Sequence, residues 1–403
     1  MTSLTTQQER MRAFIGGMQD TYYLMIESFV LRGSLDRAAL QRAVTEVLAR
    51  HDVCRAVYPT DGGYRVAGSA QELIGTVWAD GGAGLTTGEA LRAGLAHCSR
   101  PLTLDREPPL RFWVAEVAAD EHVVVIAGHH LVFDAWTFML FYEELAMAYR
   151  GEALPDPVQY ADAQPPSDPA ALDGWDGLFC PGYRRTRALA ASVASVPKGP
   201  AVVHRRQWPG LTKRVTAAAK HYRVTPFVIG SVAFARALAD ILGDSEVIFG
   251  SAYAGRTSPA AASALGYYST TLFVGVDLAG RDTADLAGTV RDDLRRWHRT
   301  PRIQWEDLLT RYRAEDLYPV KFAFQPTEMA ERKLQLPHVS TEKVHQERPD
   351  VTARRPVDLI ASYDADGVTA SMTARTDGLS RTEAEALVDG FGAYLDQAGD
   401  LPD

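Results

Sequence analysis

Apolar residues recur along the chain with two spacings, three to four residues and two, and the alternation between them lays out the elements. A polar opening helix is predicted near residues 7–18, then a strand from about Tyr22 to Leu31. Gly33-Ser34-Leu35-Asp36 supplies a turn and a helix N-cap, after which Leu40, Ala43, Val44, Val47 and Leu48 mark one face of a helix ending by Arg50 and His51. Strands are predicted from about Cys54 to Tyr58 and from Tyr64 to Val66, and a helix from Gly88 to His97. Two further strands, about Leu110 to Val117 and His122 to Ala127, flank the turn Ala118-Ala119-Asp120-Glu121 and deliver the chain to His129 and His130. A helix from about Ala135 to Tyr149 follows.

Prolines and glycines crowd the segment between Gly151 and Pro200, where periodicity weakens, so it reads as a connection carrying short helical pieces, with a boundary near residue 175. The second half resumes the alternation. Helices are predicted at 211–221, 226–242, 283–298 and 381–397, and strands at 246–253, 268–277, 320–325, 357–363 and 368–375. No short repeat is present, and two α+β lobes, 1–175 and 176–403, are the simplest arrangement.

The 403 residues carry 51 acidic against 42 basic side chains, a formal charge of −9 that argues against a broad phosphate-binding face for nucleic acid. No apolar run approaches the roughly 20 residues of a membrane span, and the first residues lack the basic start and apolar run of a secretory signal, so a cytoplasmic protein is expected; it is read as a monomer. Cys54, Cys98 and Cys180 have no metal-ligand spacing. Two arginine clusters, Arg184/Arg185/Arg187 and Arg295/Arg296/Arg299/Arg302, read first as solvated helix faces and second as a docking patch for an acidic partner.

His129, His130 and Asp134 fall where an apolar strand runs out and a helix begins. On the residues alone, Asp134 is equally well the N-cap of that helix and the histidines satisfied polar groups at a strand end, the commoner arrangement. The chemical reading rests on the positive helix end, which disfavours imidazolium and keeps a nearby imidazole neutral, able to accept a proton or orient an attacking group. Gly-x-Ser-x-Gly is absent and the thiols lie far away in sequence, so direct transfer to a bound acceptor is favoured over a covalent acyl-enzyme.

The segment His129-His130-Leu131-Val132-Phe133-Asp134-Ala135-Trp136-Thr137, followed by Glu143-Glu144-Leu145, resembles the HHxxxDGWS signature of condensation domains of nonribosomal peptide synthetases. Further matches fall in the family's order. Leu4 to Met11 resembles the opening helix motif, Arg50-His51-Asp52-Val53-Cys54-Arg55 the RHExLR motif, and Tyr160-Ala161-Asp162 the YxD element. Gly250 to Arg256 resembles GTPVAGR, and Leu265 to Leu272 resembles IGFFVNTL with Thr270 in place of asparagine.

The resemblance implies a V-shaped pair of chloramphenicol acetyltransferase-like lobes with an active-site tunnel between them. It implies His130 as the catalytic histidine, His129 as a packing and orienting residue, and Asp134 as structural, in an ion pair with Arg55. Trp136 belongs to the supporting set, and Ala135 replaces the signature glycine, which is expected to matter either through φ > 0 or through space. The chain needs no cofactor of its own on this reading. It takes an acyl group from the phosphopantetheine arm of a donor carrier protein, working in trans, and gives it to an amine on an acceptor carrier protein or to a free amine or alcohol. A catalytically silent relative that recruits another enzyme is the contrasting expectation.

Overall fold

The computed structural model describes residues 2–5, 8–9, 11–12, 23–59, 62–164, 172–195, 198–299, 308, 311–327, 334–344 and 352–401. The expected opening helix lies largely outside the described residues, of which 8–9 and 11–12 are helical. The chain divides into two compact units. The first comprises Met1–Pro166, Ala254–Ser269 and Arg332–Gln346, the second Ser167–Tyr253, Thr270–Glu331 and Glu347–Asp403.

The first unit is built on a five-stranded sheet in the order Val339–Lys343, Leu24–Gly33, Glu121–His129, Leu110–Ala118, Trp78–Asp80. All neighbours run antiparallel except the last pair. Both faces of this sheet are covered, which is why its central strands read as continuous apolar runs rather than clean alternations. Phe112, Val114, Val124 and Ile126 pack into the cluster shared with helices Arg37–Arg50 and Ala135–Tyr149. Their neighbours Trp113, Ala115, Val123, Val125 and Ala127 pack with Ala90 and Cys98 of helix Thr87–Cys98 on the opposite face.

The second unit holds a seven-stranded sheet in the order Thr352–Ala353, Gly199–Pro209, Gly367–Arg375, Val357–Tyr363, Val320–Pro326, Glu246–Tyr253, Thr270–Asp277. Val320–Pro326 runs parallel to both its neighbours, and the other pairings are antiparallel. Its core is aromatic at the centre, where Phe234 of helix Pro226–Leu242 stacks on Phe322 with ring centroids 4.6 Å apart and Phe391 of helix Arg381–Gln397 closes edge-on. No single helix among the described residues is long and apolar enough to cross a membrane.

Several elements depart from the sequence reading. The expected strand from Cys54 is a short 3-10 turn, Asp52–Arg55, leaving only Ala56–Val57 as strand. Helix Ala70–Val77 was not anticipated, although its capping box, Ser69 with Glu72, was readable. The eleven-residue strand Gly199–Pro209 was hidden by its Gly-Pro start, its closing proline and a polar pattern that fits its half-exposed place beside a two-residue edge strand. Strand Val339–Lys343, also polar, was missed at the open edge of the first sheet. The contiguous boundary near residue 175 gives way to units that exchange segments, because 254–269 and 332–346 find their partners in the first unit.

Candidate active site

Strand Glu121–His129 ends in a tight turn: the His129 carbonyl accepts from the N–H groups of Val132 and Phe133 at 2.9 and 2.8 Å. Phe133 folds back over Gly128, where a Cβ would stand 2.6 Å from its ring, so only glycine fits beneath the turn. The His130 N–H donates to the Tyr23 carbonyl at 2.8 Å, holding the backbone of the turn. Its half-buried ring meets Tyr267 edge-on, with centroids 5.0 Å apart and planes at 72°. Buried His129 takes a different environment. Its Nδ1 accepts from the Leu131 N–H at 3.0 Å, so in the neutral ring the proton sits on Nε2. The Leu131 carbonyl in turn accepts from Gln8 Nε2 at 3.4 Å, tying the opening segment to this turn.

Asp134 is fully buried and both its oxygens are engaged. Oδ1 accepts from the Thr137 N–H at 2.7 Å, capping helix Ala135–Tyr149, and from Arg256 Nη2 at 3.2 Å. Oδ2 accepts from the Tyr268 and Ser269 N–H groups at 3.0 and 3.2 Å and from the Ser269 hydroxyl at 3.2 Å. Charge-assisted bonds of this kind are what let a carboxylate stay buried. Arg256 is a hub as well: Nη1 donates to the Ala261 and Ala264 carbonyls, both at 2.6 Å, and Nη2 also reaches the Thr137 hydroxyl and the Gly266 carbonyl. Its guanidinium lies over the Tyr268 ring at 4.4 Å, and burial lowers its pKa against the opposing pull of Asp134.

The expected Asp134–Arg55 pair is therefore corrected. Arg55 sits on the 3-10 turn and spends its guanidinium locally, on Asp52 Oδ1 at 2.8 Å and the Gly68 carbonyl at 3.0 Å. Asp134 is reached instead from 254–269, a segment no local pattern pairs with the histidine turn. Arg256 closes the quoted Gly250–Arg256 stretch, so the signal was present in the motif although its partner was not. The same segment explains two more motif residues. The Tyr160 hydroxyl donates to the Tyr267 carbonyl at 2.6 Å, and its ring occupies the space a Cβ on Gly266 would need, 2.0 Å away. Arg50 and His51 converge on Glu144, at 3.3 and 2.8 Å from Oε2.

Ala135 is the first residue of its helix, solvent-exposed, and not among the residues with positive φ, so the φ > 0 explanation for glycine there does not hold in this chain. Trp136 donates from Nε1 to the Ala262 carbonyl at 2.9 Å. Cys54 and Cys98 are buried, and burial pushes both thiols up, Cys98 to about 12, which removes them as thiolate nucleophiles near neutral pH. Among the described residues no group of three or more His, Cys, Asp or Glu is placed to hold a metal ion.

The buried strand Glu121–His129 thus delivers paired histidines to a turn, followed at the start of helix Ala135–Tyr149 by a carboxylate clamped by Arg256. The condensation domain family matches residues 1–165 and 190–403, and the chain belongs to that family. The isonitrile lipopeptide synthase of Mycobacterium tuberculosis is 30% identical over 301 residues, covering 67% of this chain. The chain corresponds to only 12% of that synthase's length. Among solved structures, the X-domain from teicoplanin biosynthesis superposes with a TM-score of 0.74 at 18% identity, covering 99% of this chain and 95% of the X-domain. VibH, a nonribosomal peptide synthetase condensation enzyme, superposes with a TM-score of 0.72 at 15% identity, covering 98% and 95%. The two structural likenesses bear on the fold: mixed helix and sheet of the chloramphenicol acetyltransferase kind.

Proposed function

We propose that this condensation domain transfers an acyl group from a carrier-protein thioester to an amine, in the cytoplasm, with His130 as the catalytic residue. The observation that carries the reading is the division of labour around the turn. Asp134 has both oxygens committed to backbone N–H groups, Ser269 and Arg256, so it is scaffold and not the orienting acid of a His–Asp relay. His130 presents a partly buried imidazole on a backbone pinned at Tyr23, packed against Tyr267.

The amine attacks the thioester carbonyl, forming the C–N bond. The C–S bond then breaks, and the proton lost from nitrogen ends on the departing thiol. An α-amine with a pKa near 8 is about one-tenth neutral at pH 7, so the imidazole's main task is to accept a hydrogen bond from the attacking nitrogen and hold it in line. An alcohol must lose its proton during attack and depends on His130 as a base. Both reactants arrive on phosphopantetheine arms in this reading. His129, Arg256, Thr137, Tyr160 and Trp136 support the turn without touching the reacting atoms.

The test supplies acyl-carrier thioesters with an aminoacyl-carrier acceptor or a free amine and follows product by intact mass. Wild type should form amide. His130→Ala should lose about two to four orders of magnitude, the range of a positioned acid–base group. A second reading is favoured by one residue, Ala135 in the glycine position, together with the teicoplanin X-domain, which has been seen in complex with OxyB. In that case the domain recruits another enzyme. Wild type that forms no product with any donor, yet binds a partner enzyme tightly, would decide for recruitment.

A further inference from the structure

A second concave site lies wholly within the second unit. Its cavity of about 590 Å3 is floored by Val224, Phe227, Val228, Leu272 and Leu294, and its rim carries Arg223, Arg291, Arg295 and His298. The volume falls within the range of cavities that bury a drug-sized ligand. Among the described residues no acidic side chain lines it. Arg291, Arg295 and His298 recur three or four residues apart on helix Thr283–Arg299 and so share one stripe of it. The neighbouring Arg296 leaves that stripe and stacks on Trp175, with 4.2 Å from guanidinium to ring. The basic cluster on this helix thus splits into a structural arginine and a group at the mouth of an apolar hollow. The Tyr253 hydroxyl and His298 Nδ1 are 3.0 Å apart, which steadies one side of the rim.

We infer that this cavity binds an anionic amphiphile, a carboxylate or phosphate head on an apolar chain, with the head between Arg291 and Arg295 and the chain over Phe227 and Leu272. The inference stands apart from the catalytic role of His130. Guanidinium forks match carboxylate and phosphate oxygens in paired hydrogen bonds, whereas below the rim the described lining is apolar apart from Thr225, too little to repay burial of a sugar or peptide. Asp292, exposed beside the rim, now occupies Arg291 at 2.9 Å and Arg295 at 3.5 Å. Exposed pairs of this kind hold weakly, so a ligand anion displaces the carboxylate at little cost.

The test is calorimetric titration of the whole chain with decanoate, decyl phosphate and decanol, each below its micelle concentration. One of the two anions should bind with one-to-one stoichiometry, and their relative affinity identifies the head. Arg291→Glu with Arg295→Glu should weaken that binding by about tenfold or more, since charge-assisted hydrogen bonds are lost. Asp292→Asn should strengthen it by a few fold, because the competing carboxylate is gone. Ala252→Trp, at an exposed lining position, should abolish it by filling the cavity. All variants are first checked to unfold at the wild-type temperature. Decanol binding as tightly as the anions, unchanged binding in Ala252→Trp, or no binding of either anion would overturn the assignment.

Discussion

Asp134 and Arg256 form an ion pair whose side chains are 0% and 2% exposed, and each makes further hydrogen bonds within the unit. Removing one member leaves the other buried and uncompensated, a cost of about 3–5 kcal/mol. Arg256→Met should therefore lower the stability measured by urea unfolding by several kcal/mol. Arg55→Met, which breaks a pair with a half-exposed Asp52, should change it by less than about 1 kcal/mol. The reverse ranking would restore the Arg55 pairing read from the motif. A second residue gives the fold a pH signature. Burial raises the Asp293 carboxyl to about 6, with Arg296 only partly opposing it. The folded state then binds this proton more tightly than the unfolded chain, so stability contributed here falls as pH rises from about 4 through 6. Asp293→Asn should raise the melting temperature at pH 8 and lose that advantage below pH 4. An equal effect at both pH values would remove Asp293 as the cause.

Helices and apolar strands were legible because their burial is complete on one face or on both: Arg37–Arg50, Pro226–Leu242, Thr283–Arg299 and Arg381–Gln397 stand within a residue or two of their expected places. The two longest strands that escaped, Gly199–Pro209 and Val339–Lys343, are half-solvated and polar, so their pairing is decided by partners far away in sequence. The site divides in the same way. His129, His130 and Asp134 were singled out by the motif they resemble, while Arg256, Gly266 and Tyr267 needed the fold to bring residue 256 beside 134. At the start of helix Ala135–Tyr149, the ordinary helical backbone at Ala135 gives glycine no conformational advantage. Ala135→Gly should lower stability by about 0.5 kcal/mol by freeing the unfolded chain. A gain in turnover with the same loss of stability would locate the methyl's effect in the acceptor path.

The two units are discontinuous in sequence, and this sets what can be cut. The first unit takes back 254–269, which brings Arg256 and the Tyr268 and Ser269 N–H groups to Asp134. It also takes back 332–346, whose strand Val339–Lys343 pairs with Leu24–Gly33 and sets Lys343 Nζ 3.0 Å from Glu27 Oε1. Glu27 is itself buried and accepts from the Tyr142 hydroxyl at 2.7 Å. A fragment of residues 1–175, the boundary the sequence suggests, would bury two carboxylates without their cations and open a sheet edge. Stability of a domain is a small difference between large terms, of order 10 kcal/mol, so two such losses consume most of it. The fragment should show no cooperative urea transition and no near-ultraviolet circular dichroism, whereas the whole chain shows both. A sharp transition from residues 1–175 alone would mean that the returning segments decorate a unit already stable without them.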